Sequence, residues 1–391
     1  MDIEEKLILL NDIFSPAAPI ESADHFIGRT EQLQKIRQAI EERGQHIILY
    51  GNRGVGKTSL SNIISEVFVN LNCTKVTCTR TDNFYSIWKK AITRTNFVVE
   101  EKQIGFGNQS ISRIIDMPWP QDADIDASHI ETIFRELYNP ILFIFDEFDS
   151  IRDKNTKIKM ADTIKVLSDN IPNITIMIVG IAQNIAQLIG EHPSVERCIR
   201  QIYLAGMSEK ESEDLLYRNM QILELRIDES VVQKIIECSS GFPHYIHLLG
   251  KFSARHAILD EAKRVSMSHL NKGVIESIEN SSQSLSISYK KALDHTKDLP
   301  HFERILLACT TSILDEENTF SATDVFAKLR DEDKNQIKID LIHSQLLLFC
   351  KEENGLLLEK LGKTNQMRFR FKSPLMRPFA KLKLHTKFKG N

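Results

Sequence analysis

The feature that most constrains this chain is the run Gly51-Asn52-Arg53-Gly54-Val55-Gly56-Lys57-Thr58, set between segments of different periodicity. Before it, His46-Ile47-Ile48-Leu49-Tyr50 reads as a buried strand; after it, Leu60, Ile63, Ile64, Val67, Phe68 and Leu71 recur at helical spacing. Strand, glycine-rich turn and helix in that order predict a phosphate-binding loop. Glycines let successive backbone N–H groups face one anion, and the following helix adds the positive end of its dipole. In this reading the backbone from Gly51 through Asn52, Arg53, Gly54 and Val55 to Gly56 wraps the phosphates. Lys57 reaches the β- and γ-phosphates, Thr58 offers its hydroxyl to Mg²⁺, and Ser59 caps or packs in the first helical turn.

Such a loop needs a parallel sheet around it and a carboxylate beside it. Apolar, polar-bounded runs at 74–79, 141–145 and 174–179 are too short for typical helices and predict further buried strands. The expected fold is therefore α/β, a P-loop parallel sheet with helices on both faces. The run at 141–145 ends in Asp146-Glu147, at the edge where α/β sheets bind ligands. Asp146 is expected to hold the magnesium and Glu147 to polarise the attacking water, because the metal-bound acid is already committed. Asp149 is the lesser candidate. No Asn-Lys-x-Asp guanine signature occurs, which makes adenine, and hence ATP, the better expectation.

At 391 residues the chain has room for about two to three domains. We expect an N-terminal extension at 1–25, the α/β domain at 26–206, an all-helical lid at 207–295 and a winged helix with a basic tail at 296–391. The lid begins with the capping box Ser208-Glu209-Lys210-Glu211 and shows no convincing strand. The last segment carries helical stretches and then two strand candidates, 356–361 and 367–371, around Gly362-Lys363-Thr364-Asn365. Six scattered cysteines contain no Cys-x-x-Cys pair, which argues against disulfides or a thiolate metal site and for a reducing, cytoplasmic setting. The acidic N-terminus is not expected to act as a signal peptide, and no apolar run approaches the roughly 18 residues that span a membrane.

The net charge of −3 is unevenly spread: from Lys360 onward there are ten Lys and Arg and no acid. In the strand candidate 367–371 and just beyond it, Phe369 and Phe371 alternate with Arg368, Arg370 and Lys372, which predicts one apolar and one basic face. That face suits the phosphate backbone of duplex DNA. The preceding helical stretch has no Arg and few Lys, so specific major-groove reading is not expected, and a protein-docking or autoinhibitory role stands beside the DNA reading.

From Phe26 onward the chain resembles the AAA+ ATPases, and within them the origin-recognition-like initiators and the related STAND signalling ATPases. Phe26-Ile27-Gly28-Arg29-Thr30-Glu31-Gln32-Leu33 is similar to a family motif that lies against the adenine, which implies ATP contacts for Phe26, Gly28 and Arg29; read without the family it is a capped helix start. Gly180-Ile181-Ala182-Gln183-Asn184 falls where the family places a polar γ-phosphate sensor, Gln183 being the better overlay, Asn184 the alternative and a plain loop the bland reading. His192-Pro193-Ser194-Val195-Glu196-Arg197 resembles the segment whose arginine enters a neighbour's ATP site; Arg197 is the first choice, Arg200 the reserve, and a surface ion pair the alternative.

Ser239-Ser240-Gly241-Phe242-Pro243-His244 resembles the STAND Gly-x-Pro motif, with Pro243 and His244 as implied nucleotide contacts; initiators place an arginine where His244 stands. The competing reading is a helix break with His244 and His247 on a wetted face, and without a nearby third ligand these two do not predict a metal site. The resemblance implies an ATP- and Mg²⁺-dependent switch that self-associates and acts on duplex DNA or on a separate effector protein. A small-molecule kinase is the least favoured reading.

Overall fold

Within residues 19–205, β1 (His46–Gly51), β2 (Asn72–Thr77), β3 (Ile141–Asp146), β4 (Ile174–Ile181) and β5 (Ile199–Tyr203) form one parallel sheet in the order β2-β3-β4-β1-β5. The computed structural model describes all residues except 69–70, 103–109, 116, 118, 121–123, 138, 183–185, 191–192, 281–282, 297–300, 316–317, 363–366 and 389–391. Parallel neighbours need crossovers, and the helices Lys57–Val67, Phe84–Arg94, Ala127–Phe134 and Lys154–Asn170 provide them. Every residue of β3 and all but the last of β4 are buried, as strands covered on both faces must be. Phe143 and Phe145 meet Trp88 at 5.4 and 5.1 Å between ring centroids, while Leu142 and Ile144, pointing the other way, are equally enclosed.

Two local results differ from expectation. β2 occupies 72–77 instead of 74–79, because the Asp82 carboxylate accepts from both the backbone N–H and the hydroxyl of Thr79 at 2.8 Å and turns the chain out of the sheet. β5 and an antiparallel pair, Phe97–Lys102 with Ser110–Ile115, are additional strands.

The second unit combines Met1–Ala18 with Gly206–Asn391. The Ser208 capping box forms: Ser208 Oγ accepts from Glu211 N–H at 3.2 Å, and the Glu211 carboxylate accepts from Ser208 N–H at 2.9 Å. Helices Glu209–Ile222, Glu229–Ser239, Pro243–Leu259 and Met267–Glu279 follow, but two short parallel strands, Arg226–Ile227 and Arg264–Val265, correct the strand-free expectation. The N-terminal helix Ile3–Ile13 belongs here. Phe14 is buried against Gly250, where an added Cβ would stand 2.6 Å from its ring, and Asn219 Nδ2 donates to the Ile13 carbonyl at 3.1 Å. Further on, helices Phe302–Thr311, Ala322–Ala327 and Ile339–Phe349 precede the antiparallel strands Leu358–Leu361 and Arg368–Phe371, and Phe320 bridges Phe369. Among the described residues, no helix is long and apolar enough to cross a membrane.

Candidate nucleotide-binding site

The loop between β1 and the helix Lys57–Val67 owes its shape to three glycines with positive φ: Gly51 at 155°, Gly54 at 85° and Gly56 at 96°. Gly51 also faces a close approach, since a Cβ there would lie 2.4 Å from the Leu204 carbonyl oxygen. Gly56 caps the helix and, lacking a side chain, makes no capping bond to the amides of the first turn. Lys57 is buried; its Nζ donates to the carbonyls of Gly51 at 3.1 Å and Asn52 at 2.7 Å. Burial lowers its pKa from 10.5 to about 8, against the raising influence of Asp149 and Asp146. Arg53 is exposed beside it, and the Ser59 hydroxyl accepts from the Ile20 N–H at 3.1 Å.

The segment around Phe26 reaches this loop through Arg29. After Gly28 (φ 81°), Arg29 adopts the left-handed region (φ 62°), is buried, and donates from its guanidinium to the Val55 carbonyl at 3.0 Å. Phe26 is half-buried, with its N–H on the Ala23 carbonyl at 3.2 Å.

β3 delivers the acids. Asp146 is buried, and its Oδ1 accepts from the Glu147 N–H at 2.9 Å. Its Oδ2 is 2.8 Å from Lys75 Nζ and 3.4 Å from Ser61 Oγ. Ser61 has one hydroxyl proton, and the shorter 2.9 Å bond to the Thr58 carbonyl takes it, so Lys75 is the principal partner of that oxygen. Thr58 is half-buried on the first turn of the helix. Its hydroxyl and the Asp146 carboxylate are hard oxygen donors of the kind magnesium takes, one or two protein ligands completed by phosphates and water. Among the described residues no group of three or more His, Cys, Asp or Glu forms a metal cage, so a magnesium here would depend on the nucleotide for its remaining ligands.

Glu147 is exposed and sits at φ 56°, a strained left-handed position for a non-glycine residue. Asp149 is engaged elsewhere: its Oδ1 accepts from the Ile181 N–H at 2.8 Å, at the end of β4. Ile181 registers with Gly51, while Gln183 and Asn184 lie outside the described residues.

The other candidates are placed as follows. Arg197 is exposed and pairs with Asp169 at 2.7 Å; Arg200 pairs with Glu42 at 3.0 Å. Pro243 opens the helix Pro243–Leu259 and His244 follows it, its Nδ1–H donating to the Pro16 carbonyl at 2.7 Å. His247 is not on a wetted face. It is buried with its ring edge-on to Phe14, and burial brings its pKa down to about 4, so it is a neutral core histidine. On the C-terminal hairpin the three cations have carboxylate partners: Arg368 pairs with Asp315 at 2.8 Å, while Arg370 (2.5 Å) and Lys372 (3.3 Å) share Glu359. Phe369 and Phe371 are buried, as the alternation predicts. Lys75, Ser61 and Asn62 went unnoticed in sequence. Only the alternation within β2, which sets Lys75 opposite Thr74 and Val76, hinted that its side chain faces away from theirs.

A family model described as novel STAND NTPase 1 matches residues 18–355. Among solved structures, the chain is similar to the Walker-type ATPase PABY2304 of Pyrococcus abyssi, at 13% identity and a TM-score of 0.52, with 94% of this chain and 99% of that one covered. It is also similar to Cdc6p from Pyrobaculum aerophilum, at 16% identity and a TM-score of 0.50, with 97% and 98% covered. These two likenesses establish the fold. No curated protein matches the sequence significantly.

Proposed function

Given that this chain belongs to the novel STAND NTPase 1 family, we propose that it binds ATP with magnesium, hydrolyses it to ADP and phosphate, and uses the nucleotide state to control self-association. The observation that carries this reading is Lys57, a buried ammonium whose hydrogen bonds among the described residues go to the neutral Gly51 and Asn52 carbonyls of its own loop. Phosphate oxygens are stronger acceptors than neutral carbonyls, so an incoming polyphosphate draws Lys57 off them. The loop amides and the first turn of the helix then face the same anion. Thr58 and Asp146 would hold a magnesium ion, which would supply positive charge against the phosphates. Glu147 orients a water and accepts its proton as the oxygen attacks the γ-phosphorus and ADP leaves. Arg29 braces the loop, Phe26 lies toward the adenine, Gln183 is the γ-phosphate sensor, and Arg197, with Arg200 in reserve, acts on the site of a neighbouring copy.

The helices 302–349 and the following hairpin are read as a winged helix. Because Arg368, Arg370 and Lys372 already hold carboxylates, that element is better suited to a protein partner, whether an effector or another copy, than to DNA. The acid-free stretch after residue 359 supports duplex DNA as the second reading. Light scattering with ATP and magnesium, on wild type and Glu147→Gln, with and without nonspecific duplex, tests both. The expected result is ATP-driven assembly, prolonged in Glu147→Gln and indifferent to DNA. Assembly that requires DNA favours the second reading, and a monomer under every condition overturns the switch.

A further inference from the structure

The nucleotide-site geometry contains a cation that the phosphate-loop pattern does not call for. Lys75 projects from β2, two residues before Thr77, which registers with Asp146 across the ladder. Its three N–H donors meet three oxygens: Asp146 Oδ2 at 2.8 Å, Ser61 Oγ at 2.8 Å and Asn62 Oδ1 at 2.5 Å. Asn62 is anchored in turn, its Nδ2 donating to the Ile20 carbonyl at 3.2 Å. The ammonium is therefore fully coordinated and held in place from both β2 and the helix that follows the phosphate loop.

Asp146 is deeply buried, its side chain 3% exposed, whereas Lys75 keeps 23%. A buried carboxylate facing a polyphosphate without compensation is strongly unfavourable, and magnesium is the usual remedy. Here a tethered positive charge already lies on the carboxylate. We propose that Lys75 is a positioning residue that serves as a built-in counter-ion for Asp146 and thereby sets how strongly nucleotide binding depends on magnesium. With Lys75 in place, the phosphates meet a neutralised pair, and metal-free ATP is retained. The same charge draws on the carboxylate that would hold the metal and moderates its pull on magnesium. An ordinary structural ion pair would stabilise the fold and leave the metal dependence of binding alone, which separates the two roles.

The inference rests on ATP binding at this loop, so the test reads both. ATP affinity is measured by calorimetry in magnesium and in EDTA for wild type, Lys75→Met and Lys75→Arg, with melting curves as the check on folding. Wild type is expected to lose no more than about threefold in affinity in EDTA. Lys75→Met is expected to lose about tenfold or more in EDTA while binding at least as well as wild type in magnesium, the scale of one close charge pair near a protein surface. Lys75→Arg is expected to restore the wild-type ratio. An unchanged EDTA-to-magnesium ratio in Lys75→Met overturns the counter-ion role. Should the methionine variant not fold, Asn62→Leu loosens the same ammonium without stranding a charge, and an unchanged ratio there overturns it equally. Absence of saturable ATP binding by wild type in magnesium overturns the proposed function itself.

Discussion

The phosphate loop and the C-terminal hairpin both carry exposed or buried cations that a sequence reading marks for anions, yet the structure treats them oppositely. Lys57 is buried and rests on neutral carbonyls, whereas Arg368, Arg370 and Lys372 rest on Asp315 and Glu359. A cation held by carbonyls can trade them for phosphate at a gain. One that already holds a carboxylate must give up an equal charge first. Counting positive residues therefore measures less than asking what each one touches.

The largest effect expected from this contrast is at Lys57. Lys57→Ala should weaken ATP binding by about a hundredfold or more, the loss of a charge-assisted contact in a shielded site, as read by calorimetry. An ATP affinity within a few fold of wild type would erase the difference between the two regions. Next comes Gly51→Ala, in which a Cβ meets the Leu204 carbonyl oxygen at a backbone angle that side chains avoid. It should cost about 1–3 kcal/mol in stability by thermal melting, together with ATP affinity.

The titration of Lys57 sharpens the comparison further. Its pKa of about 8 means that the free chain loses this ammonium as pH rises through 8, so ATP affinity should fall above that point, by up to about tenfold per pH unit. Stability moves the other way. The unfolded lysine keeps its proton toward 10.5, so between about 8 and 10.5 the unfolded chain binds more protons and folding gains with rising pH. Calorimetry and melting across the same buffers should show the opposed slopes, and parallel slopes would remove Lys57 as their cause.

The smallest effects belong to the hairpin. Arg370→Gln should change stability by no more than about 1 kcal/mol and leave duplex binding nearly untouched, because Lys372 still satisfies Glu359. Glu359→Gln is the informative partner. It releases both cations, and any duplex binding should then tighten and acquire a steeper salt dependence.

What could be read in sequence follows the same division between local and distant chemistry. The turn at Gly51 to Gly56, the helix start at Lys57 and the strand end at Asp146 were legible because such backbone features are written within a few neighbours. β1, β3 and β4 were legible as continuous apolar runs. β5 was not, since only Ile199 and Ile202 of its five residues are buried, and the exposed Arg200, Gln201 and Tyr203 mask it. β2 slipped by two residues because its end is set by the Asp82 turn and not by hydrophobicity. Lys75 was invisible as a site residue for a deeper reason: its partner is brought to it by strand pairing across the sheet, and no local spacing encodes that contact. The pairing of the hairpin cations was hidden for the same cause.

The N-terminal helix has a consequence in time. Phe14, Ile13 and Pro16 meet Gly250, Asn219 and His244, the hydrogen-bonded pairs lying 206 and 228 positions apart. At about 5–20 residues per second, the ribosome needs on the order of 10–50 s to reach them. Throughout that interval the helix Ile3–Ile13 must wait with Leu10, Ile13 and Phe14 uncovered, while the whole of 19–205 is made between it and its berth. A segment made that far ahead of its partners docks late, and slowing or speeding translation of 19–205 should alter how long its apolar side stands open to other chains.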